Sequence, residues 1–214
     1  MIMDWTKIAI GGLGVAIVAG VYSIFRRSSV VILTPDCSIA YAAAHHGGKR
    51  SMANVRLIVL HSTEGSTAKG AASWFANPAS AGSTQLVVDD RECYRTLPDD
   101  VVPYGAPGAN EDGLHIEMAG FAKWTRAQWL EREDTIRRAA AFAADWSNTY
   151  GIPLVYVDAA GLKRKESGVT THWQVTKGLN GGVGHVDPGP NFPLDVFMRY
   201  AGGVAPPDGS FSVA

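Results

Sequence analysis

The sequence predicts an α/β fold, a mixed central β-sheet flanked by helices, preceded by an N-terminal transmembrane helix. Three observations carry that reading. An uncharged apolar run of 18 residues opens the chain at 8–25. Short apolar and β-branched runs alternate with helical periodicity over residues 54–201. Two strand-like runs bracket Asp90-Arg91, as in a hairpin, so the sheet is not purely parallel.

The elements follow in order. Residues 8–25 are long enough to span a bilayer and are flanked by Lys7 and by Arg26-Arg27. Small residues are frequent in the run, and no small-x-small cleavage site follows it, so residues 1–27 read as an uncleaved anchor. Residues 28–53 read as a linker with one short strand at 30–33. The globular domain then runs over 54–201. Residues 55–60 (VRLIVL) suit a central strand, and residues 66–76 a helix that stops before Pro78. Residues 84–89 and 92–97 form the hairpin, and 114–118 a further strand. Residues 125–150 form the clearest helix: Thr125 and Gln128 make a capping box, Trp129, Ile136, Ala140 and Ala143 share one face, and Gly151 ends it. Residues 154–157 read as a strand, and 202–214, rich in Gly, Pro and Ser, as a flexible tail.

Composition narrows the function. The chain has 214 residues, 46% of them hydrophobic, enough for one domain with a real core. Nineteen basic and twenty acidic residues leave a net charge of −1, which gives no electrostatic reason to expect nucleic acid. Two cysteines, Cys37 and Cys93, cannot build a Cys-rich zinc module. Sequence does not decide whether they pair; two free thiols, with Cys93 packed in a strand, is the simpler expectation.

The candidate chemistry lies in polar residues at apolar strand ends. His61 directly follows the first strand, where a side chain opens to a cleft on a fixed backbone. His172, His185 and Asp187 lie in a Gly- and Pro-rich stretch over 171–193 that permits tight turns. Two imidazoles and a carboxylate suffice for catalytic zinc, although Asp187 before Pro188 is also a common turn initiator. Glu117 sits in an otherwise apolar strand and needs either a cation or an acid/base role. His115, two residues away on the same strand face, reads as a partner for Glu117. His45-His46, on a polar loop, reads as solvated.

The ordered set LIVLHSTEG, GLHIEMAG, THWQV and HVDPGPNFP resembles the zinc-dependent N-acetylmuramoyl-L-alanine amidases of type 2, whose fold peptidoglycan recognition proteins and phage endolysins share. The resemblance covers about residues 54–198. It implies His61, His172 and Asp187 as Zn2+ ligands and Glu117 as general base. Many relatives carry an oxyanion-stabilising Lys two residues before the ligand Asp; this chain has His185 there. The implied activity is peptidoglycan hydrolysis between N-acetylmuramic acid and L-alanine, as in an endolysin for host lysis. The alternative is a recognition module that binds peptidoglycan without cutting it; such modules typically lose a zinc ligand.

This resemblance bears on location. Lys and Arg counted at both ends of residues 8–25 put Lys7 and the terminal amine against Arg26, Arg27, Lys49 and Arg50, which taken literally keeps the domain in the cytoplasm. The implied substrate lies on the cell-wall side, so the reading is membrane anchoring with the catalytic domain outside. The partners expected are peptidoglycan and, through residues 8–25, the membrane. The chain is expected to be a monomer.

Overall fold

Five short strands meet in one sheet: β1 (Leu57–Ser62), β2 (Leu86–Val88), β3 (Cys93–Arg95), β4 (Gly113–Met118) and β5 (Gly168–Thr171), in the order β3-β2-β4-β1-β5. The structure is a computed structural model that describes residues 36–180 and 184–204. The expected membrane segment at 8–25, the expected strand at 30–33 and residues 205–214 of the expected tail lie outside the described residues. Among the described residues no helix is long and apolar enough to cross a membrane.

β1 runs parallel to both β4 and β5, and β2 runs parallel to β4. β3 turns back antiparallel on β2, closing the expected hairpin. Among the described residues the α-helices are α1 (Ala68–Phe75), α2 (Arg126–Leu130), α3 (Glu133–Tyr150), α4 (Ala159–Lys163), α5 (His172–Leu179) and α6 (Leu194–Ala201).

Alternation along β1 divides its side chains between two layers. Ile58 and Leu60 join Leu114, Ile116, Trp129, Ile136 and Phe197 in the main core, with α3 and α6. Leu57 and Val59 join Leu162 and Val175, with α4 and α5. Val87 of β2 packs with Ala68 and Ala72 of α1. Each fully buried Leu or Ile contributes on the order of 1.5–3 kcal/mol, so this three-layer packing fixes the sheet.

Several expectations shift. The single helix over 125–150 is two helices. Thr125 caps α2 with the expected box, and Gly151 ends α3 in a left-handed conformation. Between them the chain bends at Arg132, whose guanidinium reaches Asp90 Oδ1 at 2.8 Å in the hairpin turn. No Gly or Pro marks that bend; a tertiary ion pair holds it. The strand expected at 154–157 makes only single-residue pairings, Val155 with Val204 and Tyr156 with Val169.

The cysteines do not stay free: Cys37 and Cys93 form a disulfide. It ties residues 36–53, expected to be linker, to β3. Ser38 pairs with Tyr94, and the Gly47 amide donates to the Val102 carbonyl. The Arg50 guanidinium donates to the carbonyls of Asp99, Asn110 and Gly113 at 3.0, 2.8 and 2.8 Å. The segment is therefore a working part of the domain edge. A bridge across 56 positions of sequence restricts the unfolded chain strongly, so Cys37→Ser should cost about 2–4 kcal/mol in urea denaturation, and added reductant should cost wild type the same. An unchanged midpoint would show that the bridge constrains nothing.

Candidate metal centre and active site

The carboxyl ends of β1, β4 and β5 lie side by side, and each delivers one polar residue. His61 ends the apolar run of β1 and pairs in register with Glu117 of β4. Parallel register gives them the same face of the sheet. β5 passes directly into α5, so His172 is the first residue of that helix. Thr171 caps it by accepting from the Gln174 amide. The signals for β5 and α5 were present as the β-branched run 169–171 and a Thr cap, but the surrounding glycines masked them.

Asp187 arrives from the loop before α6. The Trp173 amide donates to its carbonyl at 2.9 Å. The peptide bond to Pro188 is cis, and Gly189 follows with φ +97°. A side chain at Gly189 would meet the Ala122 carbonyl at 1.9 Å, so only glycine lets this turn lie against the loop after β4.

The three expected ligands converge. His61 Nδ1 and His172 Nδ1 are 3.1 Å apart; Asp187 sets Oδ2 3.2 Å from the first and Oδ1 3.1 Å from the second. All three residues are buried, and together they form a group able to hold a metal ion. An ion with tetrahedral bonds of 2.0–2.1 Å has donor atoms about 3.3 Å apart; the two imidazole nitrogens match this spacing, and one ligand atom from each of the three residues lies within 4.8 Å of the others. His172 Nε2 is buried without a hydrogen-bond partner among the described residues. Two imidazoles and one carboxylate are a donor set that suits a divalent metal.

Electrostatics reinforce the geometry. Burial pushes Asp187 up, but its close contacts with His172, His185 and His61 outweigh it and hold the carboxyl well below the usual range. Burial brings His61 down to about 4, so it is neutral and free to ligate. Glu117 is pushed well above the usual carboxylate value, by burial first and then by Asp187 and Glu64. Its Oε2 is buried without a partner among the described residues.

His185 is placed differently from the others. It is mostly exposed, its ring stacks on His172 at 4.3 Å, and its Nδ1 lies 3.5 Å from Asp187 Oδ1. That hydrogen bond raises its pKa above the ordinary imidazole value. His115 does not partner Glu117; it turns to His61 instead. His45 Nε2 lies 2.9 Å from the Pro78 carbonyl and His46 Nδ1 accepts from the Gly48 amide, both exposed and away from the other histidines.

All five expected site residues line one groove of about 820 Å³, which runs on to Trp74 and Tyr104. These two aromatics are 53% and 45% exposed, more than packing alone would leave them, and Trp74 carries no signal in the sequence. Glu64 also lines the groove, with φ +50°; its Oε1 accepts from the Ser62 hydroxyl and the Ala122 amide.

A buried carboxyl with a raised pKa keeps a proton that the unfolded chain releases above about pH 4.5. Stability therefore falls as pH rises through that window. In metal-free protein at pH 7, Glu117→Gln should unfold at the same or a higher denaturant midpoint than wild type. A clear loss of stability in that titration would mean that the carboxylate is favourably paired.

The profile of the N-acetylmuramoyl-L-alanine amidase family matches residues 51–190, a span that contains the whole site. Among solved structures, the Staphylococcus aureus hydrolase AmiA in complex with its ligand is similar over 79% of this chain and 82% of its own. Its TM-score is 0.63 at 22% identity. The N-acetylmuramoyl-L-alanine amidase LysC from Clostridium intestinale URNW is similar over 80% of this chain and 100% of its own, with a TM-score of 0.52 at 17% identity. At these identities the likeness is one of fold. No curated protein sequence matches the chain. By the family profile and the fold together, the chain belongs to the N-acetylmuramoyl-L-alanine amidase family of peptidoglycan hydrolases.

Proposed function

We propose that the chain is a zinc-dependent N-acetylmuramoyl-L-alanine amidase of the endolysin kind, with His61, His172 and Asp187 as metal ligands and Glu117 as general base. The observation that carries this is the convergence of two imidazole nitrogens and a carboxylate at 3.1–3.2 Å beside a buried carboxyl. The intact ligand set favours catalysis over the non-catalytic binding module.

Zinc bound there would supply Lewis acidity, activating a water and polarising the scissile carbonyl. The protein's own groups do the rest. Glu117 takes the proton of the attacking water and passes it to the leaving nitrogen of L-alanine. A carbon–oxygen bond forms, the carbon–nitrogen bond breaks, and the products are a free carboxyl on the lactyl group and a free amine on the peptide. A positive charge at the ligand cluster returns Glu117 towards the ionised form that a base needs. His185, held by Asp187 at the groove wall, donates to the developing oxyanion. The exposed rings of Trp74 and Tyr104 offer stacking surface for sugar or peptide.

The disulfide supports an exported domain, because such bonds persist in oxidising compartments. The charge count around residues 8–25 also changes. Lys49 and Arg50 lie more than about 20 residues beyond the run, past the reach of that count. Without these two, the two sides are balanced, and we place the catalytic domain on the cell-wall side of a membrane anchor. A reporter active only outside the membrane, fused after residue 50, should be active; activity only of a cytoplasmic reporter would reverse the orientation.

Digestion of purified peptidoglycan should release stem peptides with an L-alanine amino terminus, detected by mass spectrometry. Chelation should stop release and zinc should restore it. Glu117→Ala should lower kcat by at least 10³-fold while zinc stays bound, in line with loss of the base and its positioned water. His185→Ala should lower kcat by about 10- to 100-fold, at or below the range for one oxyanion donor because of its exposure. His185→Lys should retain most activity. Intact sugar–peptide linkages with the protein bound to the wall would favour the recognition module.

A further inference from the structure

The proposed metal centre has an unexpected neighbour. His115 lies in β4 with no solvent exposure, although neither catalysis nor core packing calls for an imidazole there. Its Nε2 is 3.2 Å from the Ala109 carbonyl, and its Nδ1 is 3.0 Å from His61 Nε2. The backbone around it is cut to fit. A Cβ at Gly105 would lie 2.4 Å from His115 Nδ1, and one at Gly113 would lie 2.8 Å from Nε2. The Gln85 side chain accepts from the His115 amide at 2.9 Å and fixes the strand locally.

We propose that His115 is a positioning residue for the metal centre, locking His61 in the tautomer that leaves its Nδ1 bare towards His172 and Asp187. This rests on the metal reading above. The argument is one of donors and acceptors. A carbonyl can only accept, so His115 Nε2 carries the proton shared with Ala109. A neutral His115 then has no proton on Nδ1, which must accept. The donor to it is His61 Nε2–H, and a neutral His61 with its proton there has a lone pair on Nδ1. That atom is the one placed 3.1 Å from His172 Nδ1 and 3.2 Å from Asp187 Oδ2. An acceptor behind a ligating imidazole also raises its basicity and fixes its ring plane.

Two measurements test the proposal. In the metal-free wild-type protein, long-range 15N NMR should report His115 and His61 both protonated on Nε2. Zinc affinity is then read by chelator competition for His115→Asn and His115→Leu. Both substitutions lose the bond to Ala109, but the Asn carbonyl puts an acceptor near the position of Nδ1. The Leu variant should bind zinc about 10- to 100-fold more weakly, and the Asn variant should stay within about threefold of wild type. Thermal unfolding checks that both fold; if the Leu variant does not, the wild-type spectrum decides. A His61 proton on Nδ1, wild-type zinc affinity in the Leu variant, or equal loss in both variants overturns the proposal. If wild type takes up no zinc, the metal reading falls and this proposal with it.

Discussion

Parallel pairing of β1 with β4 and β5 in one register is the constraint on which the rest of the molecule depends. It places His61 opposite Glu117 and brings the start of α5 alongside, so three polar side chains meet where the strands end. A slip of one residue along β1 would turn His61 into the apolar layer and Leu60 into the groove. That layer, with Trp129, Ile136 and Phe197, accepts no imidazole. The hydrophobic pattern on one face of the sheet therefore sets the register that builds the site on the other.

The two faces divide the work of stability and chemistry. On the groove side the chain buries His61, His115, His172 and Asp187 and half-buries Glu117, and two of their polar atoms have no partner among the described residues. Burying polar groups without full hydrogen bonding costs free energy. The close packing of α3 and α6 against the opposite face offsets that cost. The arrangement is typical of a site in which strain is tolerated because a rigid scaffold over-determines it.

A second chain of contacts links the domain edge to the candidate metal ligands. The disulfide holds residues 36–53 on β3, and Arg50 gathers the carbonyls of Asp99, Asn110 and Gly113. Between those carbonyls lie Tyr104 on the groove wall, and Gly105 and Ala109 around His115. His115 in turn contacts His61. A segment that looks like a spacer thus braces the loop that backs the ligand.

Much of this was legible in the residues. Local signals are short-ranged, so the VRLIVL run, the hairpin around Asp90-Arg91, the Thr125 capping box and the Gly151 stop were all visible in sequence. The ordered LIVLHSTEG, GLHIEMAG, THWQV and HVDPGPNFP segments hold residues that the structure brings into one groove. What sequence could not decide depends on partners far apart along the chain. The bend at Arg132 is held by Asp90, the pairing of Cys37 depends on where β3 lies, and the role of His115 depends on which nitrogen faces His61. Residue types and their local periodicity determined the elements and the chemistry available; only the tertiary structure decided which donor meets which acceptor. The physical reason is that hydrogen-bond and metal geometry are fixed to tenths of an ångström across separations that no local pattern encodes.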